Sequence, residues 1–136
     1  MKKIMIAAAV LVILVLVLTG CANTSSEEES MNEKTQYVKI SPEEAKEIMD
    51  NEEVIVLDVR TKSEYDQGHI EGSVLLPVDE ISSKAEEVLK DKKAKILVYC
   101  RSGNRSATAA KTLIEMAYEN VFDFGGIIDW PYEIVK

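Results

Sequence analysis

A chain of 136 residues with 46% hydrophobic and 29% charged positions has the makeup of one globular domain, not of a disordered or collagen-like chain. Its 24 acidic against 16 basic residues leave a net charge of −8, the wrong balance for a nucleic-acid binder. Two cysteines cannot build a disulfide framework, and a single histidine with no Cys-X-X-Cys argues against a metal site. The chain begins with a basic Met1-Lys2-Lys3, then an unbroken apolar run of 15 residues, Ile4 to Leu18. A bilayer-spanning helix needs about 20 apolar residues; the core of a signal peptide needs about 7–15. Residues 1–20 are therefore expected to be a cleaved signal peptide.

Residues 22–35 carry one large apolar side chain, Met31. Such a stretch cannot bury enough surface to offset the entropy of ordering, so residues 21–35 read as a flexible acidic linker. The domain spans residues 36–136. Tyr37 to Ile40 alternates with period two and predicts a short strand. Ser41-Pro42-Glu43-Glu44 starts a helix, with Ser41 as N-cap and Glu44 as its capping-box partner; Ala45, Ile48 and Met49 share one face. Val54 to Val59 is apolar and mostly β-branched, the mark of a strand covered on both sides. Val74 to Leu76 is a further strand, closed by Pro77. Ile81, Ala85, Val88 and Leu89 fall at helical spacing. Lys95 to Tyr99 is a strand, Ser106 to Met116 a helix and Val121 to Phe124 the last strand. Gly125-Gly126 and a short helix around Ile127 to Trp130 follow. Alternating strands and helices predict an α/β fold of three layers, a mainly parallel sheet with helices on both faces. Ligands of such sheets bind beyond the carboxyl ends of the strands.

The strand ending at Tyr99 delivers Cys100, then Arg101-Ser102-Gly103-Asn104-Arg105-Ser106, then a helix. Backbone N–H groups of such a turn curl into a nest, and the helix N-terminus adds partial positive charge. Gly103 permits a backbone conformation closed to residues with a side chain. Arg101 and Arg105 put two cations beside the sulfur, a field that favours an anionic sulfur. Phosphatases with a cysteine in such a cradle place an arginine six residues on. Here that position is Ser106, so a phosphatase or arsenate reductase is the weaker reading.

Leu18-Thr19-Gly20-Cys21 resembles the lipobox of bacterial lipoproteins. The resemblance implies cleavage before Cys21, lipid on its sulfur and a domain anchored to the outer side of the cell membrane. Without Lys2 and Lys3 the net charge of −8 becomes −10, and Cys100 is the one free thiol left. Cys-Arg-Ser-Gly-Asn-Arg-Ser resembles the active loop of single-domain rhodaneses. Leu57-Asp58-Val59-Arg60, Glu64-Tyr65 and Gly68-His69-Ile70-Glu71-Gly72-Ser73 resemble that family's upstream motif. Tyr118-Glu119-Asn120-Val121, Gly125-Gly126 and Trp130 resemble its C-terminal part.

The resemblance implies the rhodanese-like fold and a sulfurtransferase in which Cys100 carries a persulfide. Arg101, Ser102, Gly103, Asn104, Arg105 and Ser106 would bind an anionic donor, with Arg60 near the same face and Asp58 ordering loops. Ser106 serves equally as a hydroxyl donor or a helix cap. His69 is expected to bond backbone in a turn, and Trp130 to sit in the core. The implied partners are thiosulfate or a polysulfide as donor and a thiol or cyanide as acceptor, with no cofactor, no metal and no nucleic acid, on a monomer. A persulfide carrier or sulfide sensor is the non-enzymatic alternative. The family often has Pro where this chain has Glu71 and Ala where it has Ser73, both read as surface-turn changes. It often has Gly at Ala117; a left-handed alanine there costs roughly 1–2 kcal/mol.

Overall fold

The computed structural model describes residues 36–136. The expected signal peptide, Cys21 and the linker lie outside the described residues. The elements in chain order are β1 (Val38–Lys39), α1 (Pro42–Asn51), β2 (Ile55–Asp58), α2 (Lys62–Gln67), β3 (Val74–Leu75), α3 (Ile81–Val88), β4 (Lys95–Cys100), α4 (Asn104–Glu115) and β5 (Asn120–Gly126), with short 3-10 turns at Val78–Glu80 and Ile127–Asp129. Strands β1-β5-β4-β2-β3 lie side by side in that order, every neighbouring pair parallel.

The pleat of the central strands sorts their side chains onto two faces. Leu57, Val59, Ile96, Val98, Cys100 and Val121 face one core, closed by Ile81 and Ala85 of α3 and by Ala109, Ala110 and Leu113 of α4. Val56, Leu97, Tyr99 and Phe124 face the other, closed by Ala45 of α1 and by Trp130. The three-layer arrangement expected from the alternation of elements is thus present, and Trp130 and Phe124 belong to the core.

Local sequence accounts for most of the boundaries. The capping box of α1 is formed: Glu44 N–H donates to Ser41 Oγ at 3.1 Å, and Ser41 N–H donates to Glu44 Oε2 at 2.7 Å. Helix α2 has the same device in Thr61 and Glu64. Hydrophobic periodicity misses it because none of its six residues is buried. Val88 ends α3 and is 40% exposed, so only Ile81 and Ala85 of that helix enter the core.

Ala117 has φ +69°, the left-handed conformation whose cost falls on an alanine. Ser73 is not a surface change. It is buried, its Oγ lies 3.2 Å from Tyr99 Oη, and its carbonyl accepts from Tyr65 Oη at 2.8 Å. A hydroxyl at this position joins the 70–73 turn to the residue before Cys100.

Candidate functional site

Cys100 ends β4, beside Gly126 at the end of β5. It is the free cysteine among the described residues and is 1% exposed. Beyond it the chain turns tightly. Gly103, at φ +102°, is the N-cap of α4 in place of a capping side chain. The left-handed residue folds the loop back so that Gly103 N–H donates to Cys100 Sγ at 3.0 Å. Ser106 Oγ stands 3.6 Å from the same sulfur and reaches the carbonyls of Gly103 and Gly125. Ser106 therefore does not cap the helix; its buried hydroxyl lies against the sulfur.

The first helical bond of α4 runs from Ala107 N–H to Gly103 C=O. The N–H groups of Asn104, Arg105 and Ser106 precede that ladder, so the helix brings its positive end to the loop. The second glycine that the loop requires is Gly126. A Cβ there would lie 2.1 Å from Arg101 O and 2.6 Å from Ser102 Cα. Only a glycine lets β5 run under residues 101–102. The next turn then fastens to them through Ile128 N–H and Arg101 O at 3.2 Å. The Gly-Gly pair at the end of a strand is a visible sequence signal for a close backbone approach; its partner, the cysteine loop, is not visible there.

Two arginine–carboxylate pairs flank the loop. Asp58, at the end of β2, takes three hydrogen bonds from the Arg60 guanidinium, the shortest 2.6 Å from Nη2, and one from Arg60 N–H. Arg60 Nη2 also donates to Gly68 O at 2.8 Å, and the guanidinium lies over the Tyr99 ring. Burial pulls Arg60 toward neutrality, but the hydrogen bonds and charge of Asp58 outweigh it and leave its pKa raised. Tyr99 Oη accepts from Ile70 N–H at 3.1 Å, and burial pushes the phenol upward. The pair so ties the end of β2 to the turn at Gly68 and covers the Tyr99 ring of β4.

Arg105 is placed differently from the sequence expectation. Its Nη1 and Nη2 donate to the two oxygens of Glu64 at 2.7 and 2.8 Å, a bidentate clamp from the first turn of α4 to α2. Glu64 also accepts from the N–H and Oγ1 of Thr61. The Arg105 hydrogen bonds, working against burial and helped by Thr61, pull the Glu64 carboxyl down to about 2. Glu64 in turn raises Arg105, with a smaller contribution from the charge of Cys100. Sequence reading held Glu64 only as part of a motif, because its partner is 41 positions away. Arg101, Ser102 and Asn104 are exposed at the rim, and among the described residues Arg101 forms no ion pair.

A cleft of about 360 Å³ opens beside the loop, lined by Arg60, Glu64, Gln67, Gly68, Arg101, Ile127, Ile128 and Ile134. His69 takes the structural part expected of it. Its Nδ1 lies 2.9 Å from Tyr65 O, its ring stacks on Tyr65 at 3.7 Å, and its backbone bridges to Val135. No cluster of metal-ligating side chains occurs among the described residues.

A thiol at the end of a central parallel strand, bonded by a left-handed glycine's N–H and facing a helix N-terminus, is the candidate site of this α/β sheet. The family model of the rhodanese-like domain matches residues 41–131, and the chain belongs to that family. A thiosulfate sulfurtransferase, PspE of Escherichia coli, is 34% identical over 80 residues, 59% of this chain and 77% of that one. A sulfurtransferase of Allochromatium vinosum is 38% identical over 84 residues, 61% of this chain and 77% of the relative. Among solved structures, a rhodanese with anions from E. coli superposes with a TM-score of 0.58 at 32% identity, covering 62% of this chain and 99% of that one. A rhodanese-related protein of Thermoplasma volcanium gives 0.64 at 32%, covering 73% and 98%. The expected fold and the expected assignment to a rhodanese-type sulfurtransferase are borne out at the level of the family.

Proposed function

We propose that the protein moves a sulfane sulfur from thiosulfate or a polysulfide to a thiol or cyanide through a persulfide on Cys100. The observation that carries this reading is the Gly103 N–H donating to Cys100 Sγ at 3.0 Å, backed by the amino end of α4. Hydrogen bonds of this kind stabilise sulfur as an anion, which is its form before and after transfer. With thiosulfate, the Cys100 thiolate attacks the sulfane sulfur. A new S–S bond forms, the old one breaks, and sulfite leaves with the electron pair. The extra sulfur, held as a persulfide anion, then meets the same positive turn. Arg101 supplies an exposed cation for the arriving dianion. The relatives named as sulfurtransferases, and the E. coli rhodanese solved with anions, support this reading.

Cys100→Ser is expected to lose thiosulfate-dependent thiocyanate formation entirely, since the one nucleophilic sulfur of the described residues is gone. Turnover above a buffer control would overturn the mechanism.

The place of this reaction is also proposed: the outer side of the cell membrane, with the domain held by lipid on Cys21. The apolar run from Ile4 to Leu18 and the Leu18-Thr19-Gly20-Cys21 sequence support it. Fatty-acid labelling of wild type and Cys21→Ser, followed by fractionation, is the check. Label in the wild type alone is expected; label retained by Cys21→Ser refutes the anchor.

A further inference from the structure

We propose that a second cleft, on the sheet face opposite the Cys100 core, docks an arginine-bearing segment of a partner protein. A main-chain carbonyl of that segment accepts from Trp130 Nε1, and its guanidinium meets Glu71 and Glu133. The site is independent of the sulfur chemistry.

Three stretches of chain wall a cleft of about 630 Å³, larger than the one beside the Cys100 loop. Helix α1 contributes Lys46, Met49 and Asp50, and the turn after His69 contributes Ile70 and Glu71. The chain beyond the last 3-10 turn contributes Trp130 to Glu133. Ile70 and Trp130 belong to the core that holds Tyr99 and Phe124, with Met49 packed against it, whereas Cys100 lies in the other core.

One polar atom of this wall has nothing to bond. Trp130 is 8% exposed, and its Nε1–H has no hydrogen-bond partner among the described residues. Indole is a donor only, so what it lacks is an acceptor. A buried donor left unpaired is costly, and a buried tryptophan usually finds a partner. Tyr132 stands beside it in a T-shaped contact, ring centroids 4.9 Å apart. Pro131, Tyr132 and Glu133 are exposed and belong to no helix or strand, so this side of the wall can yield to an incoming group.

The charges of the cleft are unequal in availability. Lys46 and Asp50 pair with each other one helical turn apart, and the Lys46 ammonium also stands 5.7 Å from the Tyr132 ring centre. Glu71 and Glu133 are exposed and, among the described residues, form no ion pair. The unspent charge is therefore negative. A ligand that answers every feature carries an acceptor for the indole, an apolar stem for Met49 and Ile70, and a cation for the two carboxylates. An arginine within a peptide has all three. Lysine supplies the charge but not the planar fork that matches carboxylates and lies along aromatic rings. The volume is that of a site for one large side chain with its flanking backbone.

Trp130 is the one tryptophan of the chain, so its emission reports this cleft alone. The test titrates the full-length protein with acetyl-glycyl-arginyl-glycine amide, with the uncharged citrulline counterpart, and with propylguanidinium, which has the cation but no carbonyl. A single-residue contact is expected to bind with Kd of ~1 mM, within reach of a titration to about 10 mM. The citrulline peptide and propylguanidinium should each bind about tenfold more weakly than the arginine peptide, for loss of a charge-assisted contact and of the indole bond respectively. Added salt should weaken the arginine peptide. Glu71→Gln with Glu133→Gln should lower its affinity about tenfold while thiocyanate formation is kept. Trp130→Phe, followed by calorimetry, should lower it about fivefold with the aromatic packing retained. An emission unmoved by the arginine peptide, or equal binding of the citrulline peptide, would overturn the site. Propylguanidinium binding as tightly as the peptide would replace the protein segment by a small cation and overturn the proposed partner. Unchanged affinity in the double glutamine variant or in Trp130→Phe would overturn the roles given to those side chains and the proposal built on them.

Discussion

The two arginine–carboxylate pairs beside the Cys100 loop have the same chemistry and opposite surroundings. In Asp58–Arg60 the side chains are 0% and 6% exposed, and in Glu64–Arg105 they are 26% and 33% exposed. The first pair joins residues two apart in sequence at the end of one strand, and its spare donor goes to Gly68 O. The second joins two helices 41 positions apart. A sealed pair cannot give up one member without stranding the other charge away from water. A half-open pair can, because water takes the vacated place. The sealed pair is thus frame, and the half-open pair is a clamp at the edge of the reactive loop.

Breaking the sealed pair should have the largest effect. Arg60→Met is expected to cost about 3–5 kcal/mol in urea unfolding, because the Asp58 carboxyl is left buried without its partner. Asp58→Leu combined with Arg60→Met should recover much of that loss, since no charge is then buried. A double variant no more stable than Arg60→Met would show that the frame depends on the arginine's other contacts. These are Gly68 O and the Tyr99 ring.

The next comparison separates the two arginines of the loop itself. Arg101→Ala should lower kcat/KM for thiosulfate about tenfold, the loss of one charge-assisted contact of ~1.5 kcal/mol. Arg105→Ala should lower it less, because Glu64 already occupies both of its terminal nitrogens. Raising the salt should weaken capture in the wild type more than in Arg101→Ala. Equal losses and equal salt slopes in the two variants would mean that the clamp opens when the donor arrives.

The smallest effect belongs to Glu64 and shows only in acid. Its carboxyl sits near 2 in the folded protein against an ordinary value of 4.5. The folded state therefore binds this proton less readily than the unfolded state does. The resulting stabilisation is complete above pH 4.5 and is lost as the pH falls through 2. The partial exposure of both side chains keeps it near ~1 kcal/mol. The difference in urea midpoint between wild type and Glu64→Gln should be constant from pH 7 to about 5 and shrink below that. A difference that persists unchanged at pH 2 would show that the carboxylate charge contributes nothing.

These contrasts also mark what the sequence can disclose. The Cys100 loop was legible because strand, turn and helix start are contiguous, with Gly103 supplying the turn. Helix α1 was legible from Ser41-Pro42-Glu43-Glu44 and an apolar face. Helix α2 carried an equal cap in Thr61 and Glu64 but had no apolar face to betray it. Ser73 was read as surface because its burial is set by Tyr99, which the sheet brings to it from 26 positions away. Likewise, Arg105 read as a free cation for as long as Glu64 was only a motif letter. Local propensity carries the elements; pairings between distant residues decide which charges are spent and which remain.

The backbone contact at Gly126 has a consequence for when the protein becomes reactive. Residues 101–102 rest on a strand that is synthesised some 25 positions after them. A nascent chain that ends before residue 126 already carries the cysteine and both loop arginines, yet lacks the floor on which the loop takes its shape. The thiol exists early, and its anion cradle is assembled last. The proposed sulfur loading of Cys100 therefore waits on the last strand of the sheet.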